Sequence, residues 1–129
     1  MGSHTILCID DNETALKVRK LLLESAGYTV ITARNGVEAL AIFKSGRPVD
    51  LVLSDHFLQG QTGAQITAEM KRLKPEVPVA IISGALETPE GIQHADLFLT
   101  KTGTPSELLE ALARLLCSSE EAASGAAGG

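Results

Sequence analysis

Five short apolar runs punctuate the chain, and the segments between them carry apolar residues at helical spacing. Thr5–Ile9 reads as a strand, and Asn12–Ala26 as a helix with Ala15, Val18, Leu22 and Ala26 on one stripe. Gly27 stands where a left-handed residue ends a helix. Thr29–Ala33 is a β-branched strand. Asn35-Gly36 turns the chain into a second helix, Val37–Lys44, whose apolar positions are Ala39, Leu40 and Phe43. Gly46 and Pro48 then break the chain before a third strand, Asp50–Ser54. Past a Gly-rich loop (Gln59 to Gly63), a third helix runs from about Ala64 to Leu73 with Ile66, Met70 and Leu73 inward. Pro75 and Pro78 bracket the next turn, Val79–Ser83 and Leu97–Thr100 are the last strands, and Ser106–Leu116 is a Leu-rich closing helix.

Strands that are apolar throughout, separated by helices, belong in a parallel sheet covered on both faces. Right-handed crossovers then restrict the fold to a doubly wound α/β sheet. The 129 residues fit one domain with a core of its own. Its expected extent is 5–117. Met1-Gly-Ser-His4 resembles an expression scar, which takes His4 out of the chemistry, and 118–129 has no core-forming pattern and is expected to be a disordered tail or linker. A net charge of −5 without a basic stripe argues against nucleic-acid binding. No segment is apolar enough to span a bilayer and no signal peptide is apparent, so the expected location is cytoplasmic. Cys8 and Cys117 lack metal-site spacing and read as reduced packing residues.

The chemistry is concentrated at strand ends. Asp10 and Asp11 follow the first apolar run, Asp55 the third, and Lys101 the fifth. In an open parallel sheet those C-terminal ends share one crevice, where such folds bind ligands. Three carboxylates converging there repel one another unless a cation joins them, which points to a Mg²⁺ site beside a phosphorylatable acid.

With these residues in place, the chain resembles the receiver domain of two-component response regulators from Thr5 to about Leu116. The motifs are Ile-Leu-Cys-Ile-Asp-Asp, Ala-Gly-Tyr, Ala-Arg-Asn-Gly-Val-Glu-Ala-Leu, Val-Asp-Leu-Val-Leu-Ser-Asp and Ala-Asp-Leu-Phe-Leu-Thr-Lys. The resemblance implies a flavodoxin-like sheet of order 2-1-3-4-5. It implies that Asp55 is the phosphoacceptor, and that Asp10, Asp11, Asp55 and the backbone carbonyl of Phe57 hold Mg²⁺, with Asp10 acting through water. Lys101 then pairs with the phosphoryl group, and Ser83 and Phe98 are the hydroxyl and aromatic switch residues. The implied phosphodonor is a sensor histidine kinase or a histidine phosphotransfer protein. The product is a conformational signal to a downstream protein, from a monomer or weak dimer that is not itself an enzyme. Leu16 and Leu23 lie about a quarter-turn from the first helix's stripe, where the resemblance offers docking and geometry offers edge-of-core packing.

Three departures from that pattern bear on function. The loop after Asp55 reads His56-Phe-Leu-Gln-Gly, where the family often has Met-Pro, and His56 reads as a solvated loop residue. Thr102 follows Lys101 where the family usually has a proline after a cis bond; a non-proline cis bond costs about 2.5–4 kcal/mol, so a trans bond is expected. Only eighteen positions separate Ser83 from Lys101, which shortens the expected fourth helix across Glu87–His94. The last two departures leave room for a phosphorylation-independent adaptor on the same fold. A Mg²⁺-dependent aspartyl-nucleophile phosphatase ranks lower, since its Asp-x-Asp motif is not matched by the adjacent pair Asp10-Asp11.

The resemblance puts Phe57 at a position linked to dephosphorylation rate, and neither its apolar side chain nor that of Ala85, two after Ser83, can orient a water. Self-dephosphorylation is therefore expected to be slow. Decay of the phosphorylated mass checks this, and a half-life as short as that of fast-adapting family members contradicts it.

Overall fold

The computed structural model describes residues 4–58, 61–84, 95–100 and 104–128. In chain order the elements are β1 (Thr5–Ile9), α1 (Glu13–Ser25), β2 (Thr29–Ala33), α2 (Gly36–Lys44), β3 (Leu51–Asp55), β4 (Phe57–Leu58), β5 (Gln61–Thr62), α3 (Gly63–Leu73), β6 (Val79–Ser83), β7 (Leu97–Thr100) and α4 (Pro105–Gly128). The five longer strands form one parallel sheet of order β2-β1-β3-β6-β7. Numbered among themselves, that order is 2-1-3-4-5, as expected. A short antiparallel ladder between β4 and β5 was not anticipated; it occupies the loop that follows Asp55. The shortened fourth helix and the Lys101–Thr102 bond fall at 85–94 and 101–103, outside the described residues.

Strand alternation divides the core in two. Ile6, Cys8, Leu51, Leu53, Ala80 and Ile82 face one side, where they meet Leu16 and Leu23 of α1 and Leu112 and Leu116 of α4. Leu7, Ile9, Val52 and Val79 face the other, against Ala39 and Phe43 of α2 and Ile66 and Met70 of α3. Each fully buried aliphatic side chain contributes about 1.5–3 kcal/mol relative to exposure. The sheet is thus the middle of three layers, and its C-terminal edge is left to loops.

Local signals set the helix ends. Asn12 caps α1, its side chain accepting from the N–H of Ala15 at 3.0 Å; Asn35 caps α2 by accepting from Glu38 at 2.8 Å. At the far end of α1, Gly27 has φ +96°, its N–H bonds to the Glu24 carbonyl, and the Tyr28 N–H bonds to the Leu23 carbonyl. That pair of bonds is a Schellman stop, and its left-handed residue is the glycine the sequence offers. Lys71 on α3 reaches the carbonyls of Pro75 and Val77 and pairs with Asp96 at 2.5 Å; Asp96 also accepts from the Val79 N–H at 2.7 Å. One lysine and one aspartate thereby join the α3–β6 turn to the start of β7.

Two expectations need correction. The inward stripe of α1 is not Ala15, Val18, Leu22 and Ala26. Leu16 and Leu23 are buried in the core, whereas Val18 is 61% exposed. Leu16 and Leu23 are therefore packing residues and not a docking pair. The stripe was misplaced because its middle position is Arg19, whose side chain is only 10% exposed, and an arginine does not register as an inward residue. The helical pattern was also expected to end at Leu116, yet α4 continues to Gly128. Glu120, Glu121, Ala122 and Ala123 are strong helix formers, and their propensity favours helix even without an apolar stripe. Among the described residues, no helix is long and apolar enough to cross a membrane.

The corrected α1 face makes a direct comparison. Leu23→Ala is expected to cost about 2–5 kcal/mol by urea denaturation, and Val18→Ala no more than about 0.5 kcal/mol. The reverse ranking contradicts this packing.

Candidate functional site

The ladder between β1 and β3 builds the site. Ile9 pairs with Ser54, so the next residue on each strand, Asp10 and Asp55, emerge side by side at the sheet's C-terminal edge. Asp10 is held there by its N–H bond to the Ala33 carbonyl at 3.2 Å. Asp11 opens the turn into α1 and is exposed; Asp10 is 0% and Asp55 5% exposed. Oxygens of the three carboxylates lie within 4.8 Å of one another. Three hard oxygen donors at that spacing, one of them open to solvent, suit a Mg²⁺ ion that retains several waters. The donor set thus fits the ion that the strand-end acids suggest.

Asp10 does not cap α1, since that role belongs to Asn12. Its Oδ1 accepts from the backbone N–H of Asn12 at 2.9 Å, and its Oδ2 accepts from Arg19 Nη1 at 3.0 Å. The Asp10 side chain is 1% exposed, so this is a buried ion pair, where losing one partner is costly. Arg19 also lies beside the Cys8 thiol. Burial pushes Cys8 up to about 11 despite that neighbouring guanidinium, which keeps the thiol protonated and inert at neutral pH. Sequence reading missed Arg19. Its position three residues after Leu16 and four before Leu23 was the available signal.

The remaining expected residues are placed unevenly. Ser83 ends β6 fully buried, one residue beyond Ile82, the ladder partner of Asp55. It pairs in turn with Thr100, the last residue of β7. Lys101 comes next in sequence but lies outside the described residues. The structure therefore brings Asp10, Asp11 and Asp55 together, sets Ser83 on the strand adjoining Asp55, and places no position on Lys101. Phe98 lies in β7 opposite Ile81, half-buried, on the face away from Leu97 and Leu99. Phe57 begins β4, directly after His56.

His56 is not the solvated loop residue that the sequence suggested. Its N–H donates to the Ile82 carbonyl at 2.9 Å, which extends the β3–β6 ladder past the strand and draws the imidazole inward to 4% exposure. A cavity of about 410 Å³ lies between α1, the ends of β6 and β7, and the start of α4. Its wall includes Val18, Arg19, Leu22, Ile82, Leu99 and Leu108.

With this geometry established, comparison with known proteins is specific. Residues 6–113 match the family described as the response regulator receiver domain. The transcriptional regulatory protein GlrR of Escherichia coli is 34% identical over 111 residues, covering 83% of this chain and 25% of GlrR. The phosphate regulon transcriptional regulatory protein PhoB of Pseudomonas aeruginosa is 32% identical over 122 residues, covering 90% of this chain and 53% of PhoB. The chain thus spans a quarter to about half the length of these relatives. Among solved structures, the response regulator TrrA of Thermotoga maritima in complex with Mg²⁺-BeF superposes with a TM-score of 0.81 at 29% identity, covering 87% of this chain and 98% of that one.

The buried imidazole gives a pH prediction. Burial lowers the His56 pKa from its ordinary 6.5, an effect the neighbouring Asp55 carboxylate opposes. Unfolded chains therefore bind a proton that the folded protein refuses in the window just below 6.5. Stability is full above that value and declines as pH falls through it. Urea midpoints compared at about pH 5.5 and 7.5 check this; His56→Leu should flatten the dependence, and an equally steep variant refutes the assignment.

Proposed function

The chain belongs to the response regulator receiver domain family, and on that premise we propose that Asp55 accepts a phosphoryl group in a Mg²⁺-dependent reaction and relays it as a conformational signal. Receiver domains are signalling domains of two-component systems, and nothing here points to a separate catalytic activity. The observation that carries the proposal is the convergence of Asp10, Asp11 and Asp55 within 4.8 Å at the ends of adjacent strands.

In this reading the phosphodonor is a phosphohistidine on a sensor kinase or a phosphotransfer protein. An Asp55 carboxylate oxygen attacks phosphorus, the P–N bond breaks, and its electron pair leaves with the imidazole. The product is an acyl phosphate. Asp11 and Asp55, with Asp10 behind them and the Phe57 carbonyl alongside, would hold the Mg²⁺. Bound there, the ion supplies positive charge against the phosphoryl oxygens, the main catalytic need in this reaction class. Lys101, which follows β7 in the sequence, would add a second positive charge. Near-complete burial restricts Asp55 to a donor that enters the pocket from the strand ends. Val18 and Leu21, 61% and 68% exposed on α1, supply an apolar surface for that donor.

Ser83 and Phe98 provide the response. A hydroxyl buried on the strand beside Asp55 can donate to a phosphoryl oxygen. Drawing it toward the phosphoryl group shifts the end of β6 and frees space for Phe98 on the neighbouring strand.

Incubation with acetyl phosphate and Mg²⁺, read by intact mass, tests the proposal. Wild type is expected to gain one phosphoryl mass, and neither Asp55→Asn nor EDTA-treated wild type should. A wild type that never gains that mass removes the proposal.

A further inference from the structure

We propose that Arg19 is a positioning residue that tunes the divalent-cation affinity of the acid pocket by holding Asp10 back from direct ligation. The proposal rests on the cation-site reading above and deepens it. Asp10 is the most enclosed of the three acids, and both its oxygens are engaged, Oδ1 by the Asn12 N–H and Oδ2 by the Arg19 guanidinium. Arg19 is itself only 10% exposed and is held between Leu16 and Leu23 on the buried face of α1. The pair is therefore built into the α1–β1 interface and is not a surface contact that solvent dissolves.

Charge arithmetic gives the consequence. Three ionised carboxylates present −3 to an incoming ion. With Arg19 paired to Asp10 they present −2, matched to one divalent cation. A cation held by these acids would also be repelled by the nearby guanidinium, where burial leaves screening by salt weak. Arg19 thus has two effects of opposite kind. It stabilises the metal-free protein by neutralising a buried acid, and it weakens cation binding by occupying that same acid.

The sign of the effect separates this role from a structural one. Damage to packing weakens a metal site, whereas loss of a competing positive charge strengthens it. Arg19→Gln keeps an N–H donor for Asp10 without the charge, Arg19→Met removes both, and Arg19→Lys keeps the charge without the fork. Titration of each folded protein with Mg²⁺ alone, by calorimetry at low ionic strength, gives the affinities. Arg19→Gln and Arg19→Met are expected to bind Mg²⁺ on the order of tenfold more tightly than wild type, within the usual range of coupling between two sites. Arg19→Lys should stay near wild type. Saturating Mg²⁺ should also raise the Tm of Arg19→Gln more than that of wild type.

Mg²⁺ binding by Arg19→Gln and Arg19→Met that is equal to or weaker than that of wild type overturns the role of Arg19 while leaving the cation site intact. Absence of Mg²⁺ binding in wild type and in every variant overturns the cation-site reading as well. Tight binding by the variants where wild type shows none supports the proposal in its strongest form.

Discussion

Mutual repulsion among carboxylates held at the margin of an apolar core is the constraint on which this molecule turns. Asp10 and Asp55 are almost completely withdrawn from water, and Asp11 lies close enough to share one ion with them. Buried carboxylates are costly without positive charge or hydrogen-bond donors beside them. The fold supplies part of this itself. The backbone N–H of the α1 cap residue, Asn12, and a guanidinium from the second turn of that helix both serve Asp10. What is left over faces the strand-end crevice, where a divalent ion and then a phosphoryl group are proposed to bind.

The rest of the architecture serves to keep that arrangement in register. Parallel pairing of Ile9 with Ser54 and of Asp55 with Ile82 fixes which residues come out together at the edge. A slip of one residue would turn every strand side chain to the opposite layer, and the two distinct cores forbid it. The site therefore inherits its precision from aliphatic packing well below it. The proposed chemistry belongs to the few residues at and just past the strand ends.

Much of this was legible in the chain. Strand periodicity, Asn35-Gly36, Gly27 and the prolines gave element type and order, because each acts locally through backbone geometry. The bounds of β1, β2, β6 and β7 were read as observed, and β3 was read one residue early, since Asp55 looks like a loop residue but completes the ladder. The acids were legible because an acid after an apolar run has few structural reasons to be there. Arg19 and His56 were not. Their burial depends on tertiary partners, Asp10 for one and the Ile82 carbonyl for the other, and neither partner is adjacent in sequence in a way that periodicity reveals. The two-residue ladder of β4 and β5 escaped for a related reason: it is too short to have a pattern.

The clasp between Lys71 and Asp96 gives the edge of the sheet a mechanical character. Asp96 fastens the start of β7 to α3 and to the Val79 N–H, and β7 has a strand neighbour on one side only. A strip anchored at its root and supported along a single margin does not slide; it flexes. Displacement at its far end, where Thr100 pairs with Ser83, would grow with distance from the anchor. Phe98 sits nearer the anchor than Thr100 does and would turn through a smaller arc. A small push at the strand end would therefore become a graded tilt along β7, with Asp96 as the fulcrum.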